Sequence, residues 1–316
     1  MDKKNTGVRM RDAVISGIYD RMKTNAKIVF LSADFGAPAL DLVRRDFPDR
    51  FINVGIAEQN LINISAGFAF ENFIVFSYAI APFLTMRAFE SIRNNVSVLG
   101  QLKKLNINLL GVGAGLSYDV SGPTHHCLED ISIMRLLPNI MTFSPSDSIL
   151  AAKLTEFAIN NKTPKYIRMD GKPLKNIYAA NDNVDILRGF FELIKGEDIC
   201  LVSTGYMTHT ALKTAEKSDA KIGVVDLFLL NGLDSCALAD TLKNYKAVIT
   251  LEEGFINAGG LDSLINNIVL ENNLKIEIRN LGFKDKYVFD IGGRDYLHKK
   301  YGLDADSIIK ILNGVL

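Results

Sequence analysis

Apolar and polar positions along this chain follow two alternating periods. Short apolar runs at Lys27–Ser32, Phe51–Val54, Phe73–Ser77, Asn106–Val112, Ile140–Phe143 and Lys165–Arg168 predict strands. Between them, helical spacing recurs at about 10–24, 38–47, 57–70, 83–100, 130–137 and 147–160. This alternation predicts βα units, hence a parallel sheet with helices on both faces. Strands covered on both sides explain uninterrupted runs such as Ile28-Val29-Phe30-Leu31. The pattern breaks from Gly171 to Glu197, where Gly-Lys-Pro and an Asn-Asp-Asn run suit a linker with a little extended chain. A second alternation follows: Ile199–Ser203, a helix at 207–217, Lys221–Asp226, Ala247–Glu252, a helix at 258–272 and Lys275–Asn280. Two short helices, Arg294–Tyr301 and Asp304–Leu312, close the chain, the latter with Asp304 as N-cap. The expected fold class is α/β with two parallel-sheet domains, 1–180 and 188–316, joined by a linker at 181–187.

The length of 316 residues agrees with two domains at roughly 150 residues each. Lys+Arg and Asp+Glu are equal at 36 each, which argues against nucleic acid or an anionic membrane as the main partner. A neutral chain also lacks a colloidal reason to stay monomeric, which favours assembly. Cys127, Cys200 and Cys236 are odd in number and widely spaced, so neither a disulfide framework nor a zinc motif is expected. The start, Met1 to Asp12, is polar and has no apolar core, and the apolar stretch Leu61–Met86 is broken by Glu71, Asn72 and Pro82. No leader or membrane span is expected, and a cytoplasmic location is.

Ligands of open parallel sheets sit beyond the carboxyl ends of the strands. The residues to weigh are therefore Asp34-Phe35-Gly36, Gly55-Ile56-Ala57-Glu58, Tyr78 to Phe83, the segment from Gly113, and Arg168. Glu58 opens a helix, where an acid commonly does no more than complement the helix dipole. It is also placed to exchange a proton with a ligand heteroatom. His125 and His126 adjoin in Ser121-Gly122-Pro123-Thr124-His125-His126, a poor arrangement for a shared metal, so one faces a site and the other faces away. Gly111-Val112-Gly113-Ala114-Gly115 lacks the spacing of a dinucleotide fingerprint. Arg168 is either a surface charge or an anion clamp. The Phe76 to Phe89 stretch reads first as core.

Together and in this order, these segments resemble the thiamine-diphosphate enzymes of the transketolase family, and more narrowly the carboxy-terminal section of a split transketolase. The resemblance rests on Val54-Gly55-Ile56-Ala57-Glu58-Gln59-Asn60 and Pro82-Phe83-Leu84-Thr85-Met86-Arg87-Ala88-Phe89. Gly122-Pro123-Thr124-His125 and Leu137-Pro138 through Ser144-Pro145-Ser146-Asp147 extend it. It implies a pyrimidine-binding domain followed by the family's carboxy-terminal domain. Glu58 would hydrogen-bond the ring nitrogen 1′ of the aminopyrimidine and so assist proton removal from carbon 2 of the thiazolium. Phe83 would stack on the pyrimidine, with Tyr78 and Ile80 beside it. His125 would act catalytically on the substrate, and Arg11, Asp34 and Arg168 would contact the sugar or its phosphate.

The departures fall on the sugar-reading part. Ser121 stands where an Asp is usual, Gly113 where a second substrate histidine is expected, and Pro38 where a phosphate-contacting serine is expected. The expectation is ketol transfer with altered substrate choice, toward a modified, unphosphorylated or nucleotide-linked sugar. The Gly-Asp-Gly…Asn motif for Mg²⁺ and diphosphate is missing. An amino-terminal transketolase subunit would therefore supply that domain, no metal would bind this chain, and the assembly would be α2β2. Rival readings are the β subunit of a 2-oxo-acid dehydrogenase decarboxylase, a 1-deoxyxylulose-5-phosphate synthase-like half, and a non-catalytic structural subunit.

Overall fold

The computed structural model describes residues 7–314, so the first six residues of the polar start lie outside it. The apolar runs of the first half are strands β1 (Ile28–Ser32), β2 (Phe51–Asn53), β3 (Ile74–Ile80), β4 (Ile107–Val112), β5 (Met141–Phe143) and β6 (Lys165–Met169). Helices α1 (Met10–Met22), α2 (Leu40–Asp46), α3 (Glu58–Phe70), α4 (Phe89–Ile92), α5 (Leu99–Leu102), α6 (Asp130–Arg135) and α7 (Ser148–Asn160) connect them. The second half carries strands β7 (Phe190–Ile194), β8 (Ile199–Ser203), β9 (Gly223–Leu227), β10 (Leu229–Asn231), β11 (Ala247–Phe255) and β12 (Glu277–Phe283). Its helices are α8 (Met207–Lys217), α9 (Ser235–Leu242), α10 (Leu261–Glu271), α11 (Arg294–Tyr301) and α12 (Ala305–Leu312).

The first sheet runs β10-β5-β6-β4-β3-β1-β2, and the second β12-β11-β8-β9-β7. Pairing is parallel except at β10 against β5 and at β7 against β9. Every residue of β1, β4 and β6 is buried, as strands covered on both faces require. One core layer packs α1 and α7 on one face of the first sheet, with Ile18, Phe30, Phe76 and Leu154. The other packs α3 on the opposite face, with Leu31, Leu61, Val75 and Leu109.

One local expectation is corrected, and two further features go beyond what the sequence implied. The helix read across 83–100 is interrupted by two π-helical stretches, Phe83–Arg87 and Arg93–Val98; such bulges are frequent at functional sites. The chain of the second domain also reaches back, because Leu229–Asn231 extends the first sheet at its edge. Asp304 does occupy the N-cap of α12, but its carboxylate accepts from the Ser307 hydroxyl and bonds no backbone N–H. Among the described residues no helix is long and apolar enough to cross a membrane.

Strand β11 carries two consecutive buried acids, Glu252 and Glu253, and successive side chains on a strand point to opposite faces. Glu252 accepts the N–H groups of Leu261 and Asp262 at the start of α10, at 3.2 and 3.1 Å. Burial nevertheless pushes its carboxyl up to about 7. The folded chain therefore binds more protons than the unfolded one between the ordinary carboxyl value and about 7, and stability falls as pH rises through that window. Denaturant unfolding at pH 5 and pH 8 should show a decline that Glu252→Gln removes, by no more than about 3 kcal/mol. An unchanged slope in the variant would exclude Glu252 as its source.

Candidate functional site

At the carboxyl edge of the first sheet, β2 ends two residues before Gly55, which takes a left-handed conformation (φ 76°) so that the chain turns directly into α3. The space where a side chain at Gly55 would begin is open, with no atom within 4 Å. The turn delivers Glu58 to the first position of α3 with its side chain 3% exposed. Its Oε2 accepts from Arg87 Nη1 at 2.6 Å. Arg87 lies one π-turn after Phe83, and its guanidinium sits over the Phe83 ring, 4.7 Å from the centroid. The other contact of Phe83 is His125, met edge-on at 5.3 Å. His125 Nδ1 lies 3.0 Å from Thr124 Oγ1.

Segments far apart in the chain thus bring Glu58, Phe83 and His125 together, with Arg87 as the link between acid and aromatic ring. Arg87 falls inside the motif that drew attention to Phe83, and the four-residue spacing was the available signal for it. The neighbouring His126 is buried with neither ring nitrogen hydrogen-bonded, and burial lowers its pKa, so it stays neutral. The two histidines do differ in exposure: His125 is half-buried and His126 buried.

Tyr78, at the carboxyl end of β3, joins a second group. Its ring packs on Phe35 and Phe30, with centroids 5.0 and 5.9 Å away, and the Arg11 guanidinium lies 5.9 Å from the Phe35 centroid. Burial raises the Tyr78 phenol well above its ordinary value, so it is a neutral hydroxyl. Arg11 Nε stands 3.5 Å from Asp12 Oδ1. Ile80 ends β3 opposite Val112 and is half-buried. Asp34 is exposed in a left-handed turn (φ 52°), where Asn53 Nδ2 donates to its carboxylate at 2.9 Å.

Arg168 corrects the reading that made it a sugar-phosphate clamp. It is buried, with Nε and Nη2 donating to the two oxygens of Asp130 at 2.8 and 3.2 Å, and Nη1 facing Ser144 Oγ at 3.3 Å. Tyr166 completes the cluster by donating to Asp130 Oδ2 at 2.7 Å. The fork that would bind an anion is already filled by a carboxylate.

The Glu58 group fits a flat nitrogen heterocycle. A buried carboxyl can share a proton with a ring nitrogen, an aromatic ring of the kind that stacks on heterocycles stands beyond Arg87, and open space lies beside Gly55. No group of three or more His, Cys, Asp or Glu side chains is placed to hold a metal ion among the described residues.

Residues 6–175 match the transketolase pyrimidine-binding domain, and residues 192–308 match the transketolase C-terminal domain. A subunit of the apulose-4-phosphate transketolase of Actinobacillus succinogenes is 36% identical over 272 residues, covering 84% of this chain and 85% of that protein. A putative transketolase C-terminal section from Methanocaldococcus jannaschii is 31% identical over 315 residues, covering 94% of this chain and 96% of that one. Among solved structures, a split-gene transketolase described as an inactive β4 tetramer superposes with a TM-score of 0.84 at 30% identity, covering 98% of both chains.

Proposed function

The chain belongs to the transketolase family, and from that premise we propose that it is the carboxy-terminal subunit of a split, thiamine-diphosphate-dependent transketolase. It transfers a two-carbon ketol unit between sugars when an amino-terminal subunit supplies the diphosphate- and Mg²⁺-binding domain, in an α2β2 assembly. The observation that carries this reading is the convergence of Glu58, Phe83 and His125 at one sheet edge.

Thiamine diphosphate, when bound, supplies the electron sink for cleaving and forming a carbon–carbon bond next to a carbonyl. The chain's own residues bind and orient. Glu58 holds a proton at ring nitrogen 1′, and its burial keeps water from competing for that hydrogen bond. Phe83 offers its face to the pyrimidine, and Ile80 adds apolar wall. Tyr78, packed on Phe35, would stand beside Phe83 in the wall that faces the pyrimidine. Arg87 holds Oε2 of the Glu58 carboxylate in position, which would leave the other oxygen to meet the pyrimidine nitrogen. His125, anchored by Thr124, faces the substrate and moves a proton at its oxygen. Arg11 and Asp34 lie toward the sugar, while Arg168 supports the framework. The altered positions Gly113, Ser121 and Pro38 support an altered sugar choice.

Isothermal titration tests the need for a second subunit. This chain alone is expected to give no saturable heat with thiamine diphosphate and Mg²⁺, and the complex with its amino-terminal subunit is expected to saturate. Tight binding by the isolated chain would refute the shared site. Mass measurement of the complex checks the α2β2 stoichiometry.

A further inference from the structure

The same sheet edge holds a corner whose polar atoms are left without partners inside the chain. Tyr78 Oη and Ser117 Oγ are fully buried and bonded to nothing, and beside them Arg11 Nε and Asp12 Oδ1 are buried atoms that make no hydrogen bond and face each other as an ion pair at 3.5 Å. A buried unsatisfied polar group costs about 1–3 kcal/mol, so the two hydroxyls mark a place where an oxygen-rich ligand or water belongs. Tyr118 closes one side of it. A side chain at Gly113 would start 2.3 Å from Tyr118 Cε2, and one at Gly171 would start 3.1 Å from Cε1, so the ring fills the space between these two glycines. Gly113 itself is left-handed (φ 105°), which resists replacement by any larger residue. The loop that carries Tyr118 also carries His125, and Ser121 N donates to Tyr118 O at 3.0 Å to tighten the turn between them.

The charges around this corner are matched. Arg11 has Asp12 beside it, Lys172 pairs with Asp119, Arg294 with Asp170 and Glu253, and Arg168 with Asp130. Among the described residues Arg9 also acts on Tyr118, and it is exposed. Burial raises the Tyr118 phenol, so it too contributes a neutral hydroxyl. A phosphate dianion needs surplus positive charge, and here the Arg11 guanidinium is already balanced by the Asp12 carboxylate. A polyol needs the opposite mixture: donors such as Arg11 Nε next to acceptors such as Asp12 Oδ1 and hydroxyls that can act as either.

We propose that Tyr118, with the Arg11–Asp12 pair, is the specificity determinant of this site and selects the uncharged, hydroxyl-bearing end of a sugar over a phosphorylated one. This rests on the transketolase reading above and names its substrate class. The ring fills the space over Gly113 and Gly171, and the matched charges remove the electrostatic reason to prefer an anion.

The test compares D-ribose and D-ribose 5-phosphate as acceptors for the reconstituted complex, with hydroxypyruvate as common donor. Ribose is expected to have the higher kcat/KM. Tyr118→Ala, which opens the space beside Gly113, should move the ratio toward the phosphate by roughly tenfold or more. Tyr118→Phe keeps the ring, removes the hydroxyl, and should weaken ribose with a smaller change of ratio; it also serves if the alanine variant does not fold. Preference of the wild type for ribose 5-phosphate, or an equal effect of Tyr118→Ala on both sugars, overturns the proposal. Saturation-transfer NMR of the complex with the same two sugars reads the same ratio without turnover. A complex that binds ribose through Tyr118 but transfers nothing would therefore refute the enzymatic reading and leave this one standing.

Discussion

Replacing Glu58 with glutamine is expected to leave the two-subunit complex assembled and to lower ketol transfer by roughly 10²–10⁴-fold. The two side chains have the same shape, so packing at the head of α3 is preserved. What changes is the chemistry of one atom pair. The carboxyl group can hold or release a proton at a ring nitrogen, and the amide cannot. Arg87 keeps a carbonyl oxygen to donate to, so the variant does not strand a buried cation, and Arg87 is itself half-exposed and able to reach water. Glu58→Ala removes the acceptor altogether and should be at least as inactive, with a small additional loss of stability. The measurements are initial rates with hydroxypyruvate as donor, and sedimentation together with circular dichroism for assembly. Ketol transfer at the wild-type rate in a well-assembled Glu58→Gln complex would favour the structural-subunit reading over the catalytic one.

The framework was legible where local pattern and final environment agree. Ile28–Ser32 and Ile107–Val112 are buried at every residue and mostly apolar because they lie in the middle of a sheet with helices on both faces. β10 is three residues long and follows β9 after one residue, Phe228, so nothing local announces that it leaves its own sheet for the edge of the other. The π-helical turn at Phe83–Arg87, whose last residue donates to Glu58, likewise has no local signature in the chain. At the site, the sequence pointed to Glu58, Phe83 and His125 through their order along the chain. It could not show what each charge faces. Arg168 looks like an anion clamp until Asp130, 38 residues earlier in the chain, is found against it. Tyr118 carried no motif, and only its ring filling the space beside Gly113 gave it meaning.

Arg294 should produce the largest loss of stability of any single side chain at the domain junction. It comes from α11 of the second domain and is 5% exposed. Nε donates to Glu253 Oε1 at 2.7 Å, Nη2 donates to the other oxygen of that carboxylate, and Nη1 donates to Asp170 Oδ2 at 2.5 Å. Its guanidinium also lies over the Tyr206 ring, 3.5 Å from the centroid, and its backbone N–H donates to Asp119 at 2.7 Å. Glu253 further accepts from Leu116 N at 3.1 Å and pairs with His298. The cation beside Glu253 holds that carboxyl well below the usual range despite its burial. With Arg294→Met, two buried carboxylates lose their common counter-ion while the hydrophobic volume is roughly kept. Breaking one side of such a pair costs about 3–5 kcal/mol, more than the pair itself contributes over an apolar replacement of both sides. Arg294→Lys keeps the charge without the planar fork and should fall between. The sign with pH discriminates this from simple loss of packing. In the wild type, the lowered Glu253 pKa gives stability that is present above the ordinary carboxyl value and lost as pH falls. In the variant the same carboxyl is buried beside no arginine, its pKa rises, and protonation relieves it. Urea unfolding should therefore show the variant's deficit shrinking between pH 7.5 and pH 5. Because Leu116 and Asp119 belong to the loop that also carries Tyr118 and His125, the variant should in addition raise KM before it unfolds. A deficit under about 1 kcal/mol at pH 7.5, unchanged at pH 5, would mean that apolar packing alone holds the domains in register.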